Sequence, residues 1–477
     1  MKDRLKLLLE NFFIYGVINA LDKIVPIIML PIITRLLKDT EEFGKLDMFH
    51  TVISFGSSIA ILGMYDAMFR EYFEKDDGDY KLKVTSSSAI TVFISSLAVT
   101  FILLIFRNGF SNLFIGDSSG IFIVSTAAIG VFLSANRSII CAPTRMKNQR
   151  KVFVFSGFLY TVPHYLIAVI LIFNGFGYEA MIYSNLIALF LCIVFFMIIN
   201  KKHFKPNFFD KKLAKELLKI GIPLLPTFLI YWVFNSIDRI MIIRTMGFGQ
   251  VGIYSIGAKV ASVSNFIYAA FAGGWQYFAF SIMGDDDQVA VNSKIYEYLG
   301  IFSFTLFYLA IIFGKFVFQI VFDEEYVLGH VVFPLLFISP LLLMLFQIVG
   351  NQFLVIKKTY LLTFSLIVGV ILNISFNFLL IKSFGIKGVS FSTFTGYAVS
   401  VMIATLLALK YELICINKKL VFSFALVVLN AVFYLLEIYL LSAYFLPTVS
   451  ILITILLYVK DFKLGIQKII STGKMGE

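Results

Sequence analysis

The chain has 477 residues, of which 59% are hydrophobic and only 14% charged, and its net charge is +11. Soluble domains contain about 45–50% apolar and about 25% charged residues, so this composition excludes an ordinary soluble protein. The basic residues lie in short segments between apolar stretches, which argues against nucleic-acid binding and predicts contact with anionic lipid headgroups.

Fourteen apolar stretches follow one another along the chain. A spanning helix needs about 20 mostly apolar residues, because no backbone amide can stay unbonded in lipid. We therefore predict an all-α integral membrane protein with fourteen transmembrane helices. Their predicted limits are 12–34, 46–69, 84–106, 119–141, 152–173, 179–200, 217–243, 251–283, 295–314, 331–356, 360–381, 386–409, 420–440 and 443–459. The eighth stretch exceeds one crossing, so part of it is expected along the membrane interface.

The distribution of Lys and Arg predicts the topology. Most of these residues fall in every second gap between the apolar stretches, and short cytoplasmic loops are enriched in them. We therefore place both termini in the cytoplasm and the protein in the inner (plasma) membrane. The first stretch follows a basic start, but it contains Asp22 and Lys23 and lacks a small-residue cleavage site, so it is expected to be retained.

An internal repeat divides the chain into two halves. An offset of 208 positions brings Phe43-Gly44 onto Val251-Gly252 and Phe176-Gly177 onto Phe384-Gly385. Six helices in each copy is an even number, so both copies have the same orientation and are related by a pseudo-twofold axis along the membrane normal. The predicted organisation is an N-lobe over 1–200, a cytoplasmic linker over 201–216, a C-lobe over 217–410, and two extra spans with a cytoplasmic tail over 411–477.

A proline pair interrupts the first predicted helix of each lobe. Pro26 and Pro31 lie in the first span, and Pro223 and Pro226 lie in the seventh. Proline removes a backbone hydrogen bond and bends a helix, and interrupted helices in corresponding places of two halves point to a transport site. These four prolines are therefore predicted hinges. The alternative is that spanning helices simply tolerate proline.

Charged residues inside the spans are the main candidates for a cargo site. A charge at mid-bilayer costs at least about 2.5–3.5 kcal/mol, so these residues are expected to face a cavity. The bases are Lys23, Arg137, Arg239 and Lys259, and the acids Asp22 and Asp238 stand beside two of them. Four bases against two acids suit an anionic cargo group such as a diphosphate, which a guanidinium grips through two oxygens. The alternative is that each side chain reaches the headgroups from within its helix.

Other polar residues are weaker candidates for gating or ion coupling. Asp66 and Arg70 are one turn apart and are expected to pair within their helix, with a gate contact as the alternative. His50 and His164 have the chemistry to couple transport to protons, although a satisfied histidine is the commoner case. Glu437 is an ion-binding carboxylate or a partner in helix-to-helix hydrogen bonding.

Nothing in the sequence supports catalysis. There is no Gly-rich phosphate loop, no His/Cys metal spacing and no nucleophile elbow. The longest outer gap, from Lys315 to His330, is too short for the catalytic loop of a membrane glycan polymerase or ligase. We predict a protein without enzymatic activity, cofactor or metal.

Two groups of motifs resemble those of bacterial polysaccharide exporters. Phe12-Phe-Ile-Tyr-Gly, Pro31-Ile-Ile-Thr-Arg35 and Phe43-Gly44 resemble the first two helices of these proteins. Gly221-Ile-Pro-Leu-Leu-Pro, Asp238-Arg239 and Val251-Gly-Ile-Tyr-Ser-Ile-Gly-Ala-Lys259 resemble the start of their second lobe. Together they resemble the O-antigen flippases (Wzx) of the multidrug/oligosaccharidyl-lipid/polysaccharide (MOP) exporter superfamily.

The resemblance implies a function. Such a flippase moves undecaprenyl-diphosphate-linked oligosaccharide repeat units from the cytoplasmic to the outer leaflet by alternating access, for O-antigen, capsule or exopolysaccharide synthesis. It implies that Lys23, Arg239 and Lys259 contact the diphosphate or acidic sugars. The expected partners are membrane lipids, a polysaccharide polymerase and a chain-length regulator, without nucleic acid, and the chain is expected to be a monomer. The alternatives in the same superfamily are a multidrug/cation antiporter and a lipid II flippase.

Overall fold

The structure is a computed structural model that describes residues 25–37, 39–282, 286–436 and 441–473. These residues are mostly helical and include no β-strand. The helices in chain order are α1 Val25–Leu37, α2 Thr40–Ala60, α3 Met64–Tyr72, α4 Gly78–Ile105, α5 Arg107–Phe114, α6 Ile121–Met146, α7 Arg150–Phe173, α8 Tyr178–Ile199, α9 Lys211–Gly221, α10 Leu225–Met246, α11 Phe248–Ala261, α12 Ser264–Ser281, α13 Gln288–Val321, α14 Phe333–Val355, α15 Tyr360–Lys410, α16 Lys418–Leu435 and α17 Leu446–Gly473. Short 3-10 turns cover Ser118–Gly120, Lys201–His203, Pro206–Phe208, Ile222–Leu224 and Glu324–Val331, and a π turn covers Leu441–Phe445.

The helices confirm a multi-pass, all-α membrane protein. In the described part of the chain, nine helical segments are long and apolar enough to cross a bilayer, and the bent pair α2–α3 makes up to ten. Two further apolar helices, Val25–Leu37 and Ala443–Val459, are shorter. Each predicted stretch overlaps at least one observed helix, and the count of fourteen spans stays a prediction.

Several helices break within or between predicted spans. The second predicted span bends by 47° between α2 and α3, where Leu62 and Gly63 have left-handed φ values of +54° and +64°. The eighth predicted stretch is two helices, α11 and α12, separated by a turn at residues 262–263. The eleventh and twelfth spans are joined in α15 and separated only by Gly385, whose φ of +55° breaks the helix.

The chain forms two compact units, which differ from the predicted lobes. Unit 1 comprises Met1–Ile256 and Phe322–Tyr326, and unit 2 comprises Gly257–Val321 and Val327–Glu477. The lobes were drawn from the sequence repeat rather than from contacts, so their boundaries stay a prediction. In unit 1, α6 buries Ala127, Ala128 and Ala135 completely, and small side chains of this kind allow neighbouring spanning helices to approach closely.

In unit 2, α14 is the most deeply buried of the span-length helices that the structure describes. The two C-terminal helices are fastened to α13 by polar contacts. The hydroxyl of Tyr458 on α17 donates to Glu297 Oε1 at 3.0 Å, and the hydroxyl of Tyr308 on α13 reaches the carbonyl oxygen of Ser423 on α16 at 3.5 Å. The predicted extra spans therefore pack as part of unit 2.

Within unit 1, α2 and α11 cross in backbone contact at Gly44 and Gly252. A Cβ atom on Gly44 would lie 2.0 Å from the carbonyl oxygen of Phe248, and one on Gly252 would lie 1.9 Å from that of Thr40. Only glycine fits either position, because any side chain would overlap the main chain of the other helix. The contact is reciprocal: Thr40 and Phe248, like Gly44 and Gly252, are separated by the offset of the sequence repeat, 208 residues.

The segment after α8 is fixed to the ends of α4 and α6 by buried hydrogen bonds. Ser86 Oγ donates to the carbonyl oxygen of His203 at 2.7 Å, and Thr85 Oγ1 lies 3.2 Å from Nδ1 of the same residue. Burial of the imidazole, with a smaller effect of the Lys147 charge, lowers the pKa of His203 to about 4. His203 is therefore neutral at pH 7.

We expect Gly44→Ala and Gly252→Ala each to lower Tm and membrane yield, because the added methyl group overlaps a main-chain oxygen. Overpacking of this kind costs about 1–3 kcal/mol or more. Gly249→Ala is the control in the same helix, since its Cβ would lie 3.4 Å from Thr40 Oγ1, an ordinary contact. Equal Tm values for the three variants, measured by thermal unfolding in detergent, would contradict the close crossing.

We expect acid to release the segment around His203. An imidazole whose pKa is about 4 when folded and 6.5 when free stabilises the fold fully above pH 6.5 and loses this contribution as the pH falls towards 4. Hydrogen exchange of residues 200–210, corrected for the intrinsic effect of pH, should accelerate over that range. In His203→Gln the acid-dependent step should be absent, and a step of equal size in this variant would assign the effect to another group.

Candidate functional site

Five polar side chains from α2, α10 and α11 form a buried cluster in unit 1, which we call the Asp47 network: Asp47, Asp238, Arg239, Tyr254 and Ser255. Arg239 Nε donates to Asp47 Oδ2 at 2.5 Å, and Ser255 Oγ donates to the same oxygen at 2.6 Å. The hydroxyl of Tyr254 donates to Asp238 Oδ2 at 2.6 Å. The three helices are thus joined by charged groups at the ends that the topology prediction places outside.

Both members of the central ion pair are shielded from solvent. The side chain of Asp47 is 7% exposed and that of Arg239 is 18% exposed. The guanidinium of Arg239 also donates to the carbonyl oxygen of Asn235, and its Cζ lies 5.8 Å from the centre of the Tyr254 ring. In apolar surroundings this pairing is what makes both charges tolerable. In this conformation, therefore, Asp47 compensates the charge of Arg239.

Asp47 is the functional residue that the sequence analysis missed. It lies one position inside the predicted limit of the second span, but it was not counted among the charges within the spans. Added to the candidate cargo-site residues, Asp47 gives four bases against three acids, a smaller excess of positive charge than the sequence analysis expects. A signal was present: the repeat offset of 208 pairs Asp47 with Ser255, and these two side chains are hydrogen-bonded.

A second polar cluster lies within unit 1 on α6, α7 and α8, and we call it the Arg137 cluster: Arg137, Tyr160, His164, Ser184 and Asn185. The Cζ of Arg137 lies 4.6 Å from the centre of the Tyr160 ring, whose hydroxyl accepts a hydrogen bond from Asn185 Nδ2 at 2.7 Å. Ser184 Oγ lies 2.9 Å from Nδ1 of the buried His164. The structure thus brings Arg137 and His164 into one cluster, although the sequence analysis treated them separately.

Arg137 retains capacity for an anion. Its Nε is buried and has no hydrogen-bond partner among the described residues. The aromatic face of Tyr160 holds the guanidinium without using its N–H groups. A guanidinium fixed in this way suits a phosphate or carboxylate oxygen, which would accept the unused hydrogen bond.

The remaining candidates are not members of either cluster. Asp66 and Arg70 are both exposed on α3, and the described residues show no ion pair between them, so the predicted intrahelical pair is wrong. His50 is half-buried, with its ring centre 5.3 Å from that of Phe49. Lys259 is half-buried on α11, in the part of this helix that belongs to unit 2. Asp22, Lys23 and Glu437 lie outside the described residues.

The predicted hinges have different surroundings. α1 remains helical through Pro26 and Pro31, where an interruption is predicted. Pro223, by contrast, lies in the 3-10 turn Ile222–Leu224 that separates α9 from α10, and Pro226 lies in the first turn of α10.

The break before α10 meets the break between α2 and α3. A Cβ atom on Gly63 would lie 2.3 Å from the carbonyl oxygen of Gly221, and one on Gly221 would lie 2.3 Å from that of Leu62. Two interrupted helices of unit 1 are therefore in backbone contact at their interruptions. Helix breaks of this kind concentrate bending at a few residues.

The sequence matches the profile of a known protein family. The sequence profile of the family described as "Polysaccharide biosynthesis protein" matches residues 32–328, well over half of the chain. This range includes both clusters of unit 1. No curated protein matches the chain.

Solved transporters share the fold. The lipid II flippase MurJ, in an inward closed conformation, aligns with a TM-score of 0.70 at 16% identity, over 96% of this chain and 100% of its own. A multidrug resistance MATE family transporter of the MOP superfamily aligns in its inward-facing form with a TM-score of 0.62 at 15% identity, over 83% and 94%. An outward-facing form gives 0.55 at 14% identity, over 84% and 95%. At these identities the likeness shows a common fold.

We expect Asp47→Asn and Arg239→Gln each to destabilise the protein, because each leaves a buried charge without its partner. Losing one member of a buried pair costs about 3–5 kcal/mol. The double variant should lose clearly less than the sum of the two single losses. Thermal unfolding of the four proteins in detergent measures this coupling, and strictly additive losses would show that the two side chains do not depend on one another.

Proposed function

Because this chain belongs to the polysaccharide biosynthesis protein family, we propose that it is a flippase for undecaprenyl-diphosphate-linked oligosaccharide repeat units. The cargo moves from the cytoplasmic to the outer leaflet of the inner (plasma) membrane by alternating access, and supplies O-antigen, capsule or exopolysaccharide synthesis. The family match is the observation that carries this proposal, and the fold shared with MOP transporters agrees with it.

The proposed architecture is fourteen spans with both termini in the cytoplasm. Two six-helix lobes, over 1–200 and 217–410, are related by a pseudo-twofold axis along the membrane normal, with the linker at 201–216 and two extra spans after 410. The reciprocal crossing at Gly44 and Gly252 supports the axis, since a two-fold passing between these glycines would make their contacts equivalent. The alignment over all of MurJ supports a chain plan of the same length.

The proposed cargo site is basic and uses arginine for the diphosphate. Arg137 offers a guanidinium that is already fixed over Tyr160 and has an unused donor. Arg239 is paired with Asp47 in this conformation. When the cargo binds, its diphosphate replaces the Asp47 carboxylate as the partner of Arg239. Lys23 and Lys259 complete the proposed set. Asp238, bonded to Tyr254, orients that ring beneath the guanidinium of Arg239.

This exchange links cargo binding to the conformation of the transporter. While Arg239 binds Asp47, α2 and α10 are joined, and Ser255 ties α11 to the same carboxylate. A diphosphate that competes for Arg239 would weaken these connections in proportion to its own affinity, as a ligand must in order to shift a conformational equilibrium. Opening towards the outer leaflet would then follow binding of the correct cargo.

A lipid II flippase is the second candidate. Its support is the alignment with MurJ, which covers 96% of this chain, against 83% for the inward-facing MATE transporter. Lipid II also presents a polyprenyl diphosphate, so the proposed basic contacts serve both cargoes. A multidrug/cation antiporter is the third, and the bases of the proposed cargo site disfavour cationic substrates. The proposed partners are membrane lipids, a polymerase and a chain-length regulator around a monomeric flippase.

We expect loss of this protein to trap the lipid-linked oligosaccharide on the inner leaflet. Spheroplasts with and without the protein are treated with a membrane-impermeant reagent that labels the oligosaccharide, and lipid II is measured in the same samples. Labelled oligosaccharide should fall on loss of the protein while labelled lipid II stays constant. A fall in lipid II alone favours the second candidate. Unchanged sidedness of both contradicts flipping, and drug resistance then tests the antiporter.

The same assay tests the basic residues. Arg137→Gln and Lys259→Ala should abolish labelling at unchanged protein level, because each removes an anion donor of the proposed cargo site. Arg107→Gln, on the exposed face of α5, is the matched control and should label as the parent protein does. Normal surface glycan in both test variants would contradict the proposal that the cargo site is basic.

A further inference from the structure

A cavity of about 160 Å³ lies within unit 1 between α4, α6 and α8, near the ends that the topology prediction places in the cytoplasm. The 3-10 segment after α8 forms part of its wall. Its apolar lining includes Ala89, Phe93, Ile139, Ile140, Met197 and Phe204. Neither the Asp47 network nor the Arg137 cluster contributes a residue to it.

The two polar side chains in the wall are already engaged. Ser86 Oγ donates to the carbonyl oxygen of His203 at 2.7 Å. Asn136 Nδ2 donates to Ser96 Oγ at 2.9 Å and to the carbonyl oxygen of Phe132 at 2.8 Å. A water molecule needs several polar partners to be held, whereas apolar cavities stay dry and accept hydrocarbon. An apolar cavity of about 150 Å³ accepts benzene, so this one has room for about six carbon atoms of a chain.

Two lining residues on spanning helices are open to the surroundings of unit 1. Phe93 on α4 is 49% exposed and Met197 on α8 is 41% exposed. Apolar side chains exposed on helices that cross a bilayer are solvated by lipid chains. A lipid chain therefore has a route past these two residues into the cavity.

Two lysines, Lys147 and Lys202, lie at the ends of α6 and α8 that the topology prediction places in the cytoplasm. Asn200 Nδ2 donates to the carbonyl oxygen of Ile140 at 3.1 Å and to Thr144 Oγ1 at 2.8 Å, which fixes the start of the Lys201–His203 turn against the last turns of α6. Lys202 lies in that turn, and Lys147 caps the C-terminal end of α6. Both lysines are exposed, and no described carboxylate forms an ion pair with either.

The electrostatics of this pair favour an anion. The pKa of Lys147 is lowered, first because neighbouring atoms partly desolvate its ammonium group and then because Lys202 carries a like charge. A lysine at the C-terminal end of a helix is explained by the helix dipole alone. The dipole does not explain a second lysine that repels the first, nor an apolar cavity whose wall includes Phe204, two residues after Lys202.

We propose that this site binds one anionic phospholipid of the cytoplasmic leaflet, with its phosphate on Lys147 and Lys202 and the first carbons of one acyl chain in the cavity. The lipid joins α4, α6 and α8 to the segment 200–208, which begins the predicted linker between the lobes. The proposal does not depend on the identity of the cargo. It assigns the lipid a structural role in fixing the linker.

Native mass spectrometry of the full-length protein, titrated in detergent with phosphatidylglycerol or phosphatidylcholine of equal chain length, tests the site. We expect one phosphatidylglycerol to bind in preference to phosphatidylcholine. Because each lysine near a lipid phosphate contributes about fivefold in affinity, Lys147→Gln/Lys202→Gln should weaken this binding about 10- to 30-fold. The matched control is Lys211→Gln/Lys212→Gln, two exposed lysines at the start of α9, and it should bind as the parent protein does.

Two further variants test the cavity while keeping both lysines. Ala89→Phe fills it and Met197→Trp covers its mouth, so each should lose the phosphatidylglycerol while Tm stays close to that of the parent protein. If Ala89→Phe lowers Tm, the test of the cavity rests on Met197→Trp alone. Retention of the lipid by a folded cavity variant overturns the proposal. So does equal weakening by the control lysine pair, equal affinity for both lipids, or displacement of the lipid by glycerol 3-phosphate at equimolar concentration.

Discussion

A charge within a membrane-spanning helix needs a partner, and in unit 1 the crossing of α2 and α11 provides one. Gly44 and Gly252 bring the two backbones into contact, and three residues further along each helix this closeness places Ser255 on Asp47. The same carboxylate binds Arg239 of α10. Any side chain at either glycine would separate the helices and leave a buried ion pair poorly solvated. Packing and electrostatics therefore depend on one another here.

Two helix interruptions in unit 1 are positions at which bending can concentrate. α2 and α3 meet at Leu62–Gly63, and α9 and α10 meet at the proline-containing turn Ile222–Leu224. These interruptions contact each other through Gly63 and Gly221, so a movement at one would displace the other. A continuous crossing at one end of α2 and a break at the other give a helix that is held firmly at one end and is free to change direction at the other. That combination suits a transporter that opens alternately to two sides.

The sequence predicted the class and the helices better than the partners of individual charges. Apolar length and the distribution of lysine and arginine were enough for a multi-pass helical protein, and Arg137, Arg239 and Asp238 were recognised because charges stand out in apolar stretches. The ion pair predicted for Asp66 and Arg70 failed because a pair one turn apart on a helix surface gains only about 0.2–0.5 kcal/mol, too little to hold two exposed side chains together. Asp47 was missed because the edge of a span is poorly defined by hydropathy alone.

What the sequence by itself determined is therefore local: which stretches are apolar enough to be helices in lipid, and that residues such as Gly44 and Gly252 recur with an offset of 208 residues. Those properties follow from the cost of bare backbone and charge in hydrocarbon, which each segment bears on its own. Only the tertiary structure decided that Arg239 pairs with Asp47, 192 residues away, that Arg137 lies over Tyr160, and that the glycine-containing break after α2 meets the proline-containing break before α10. Partners of this kind are set by how helices cross, and a crossing depends on shape complementarity between surfaces that are far apart in the chain.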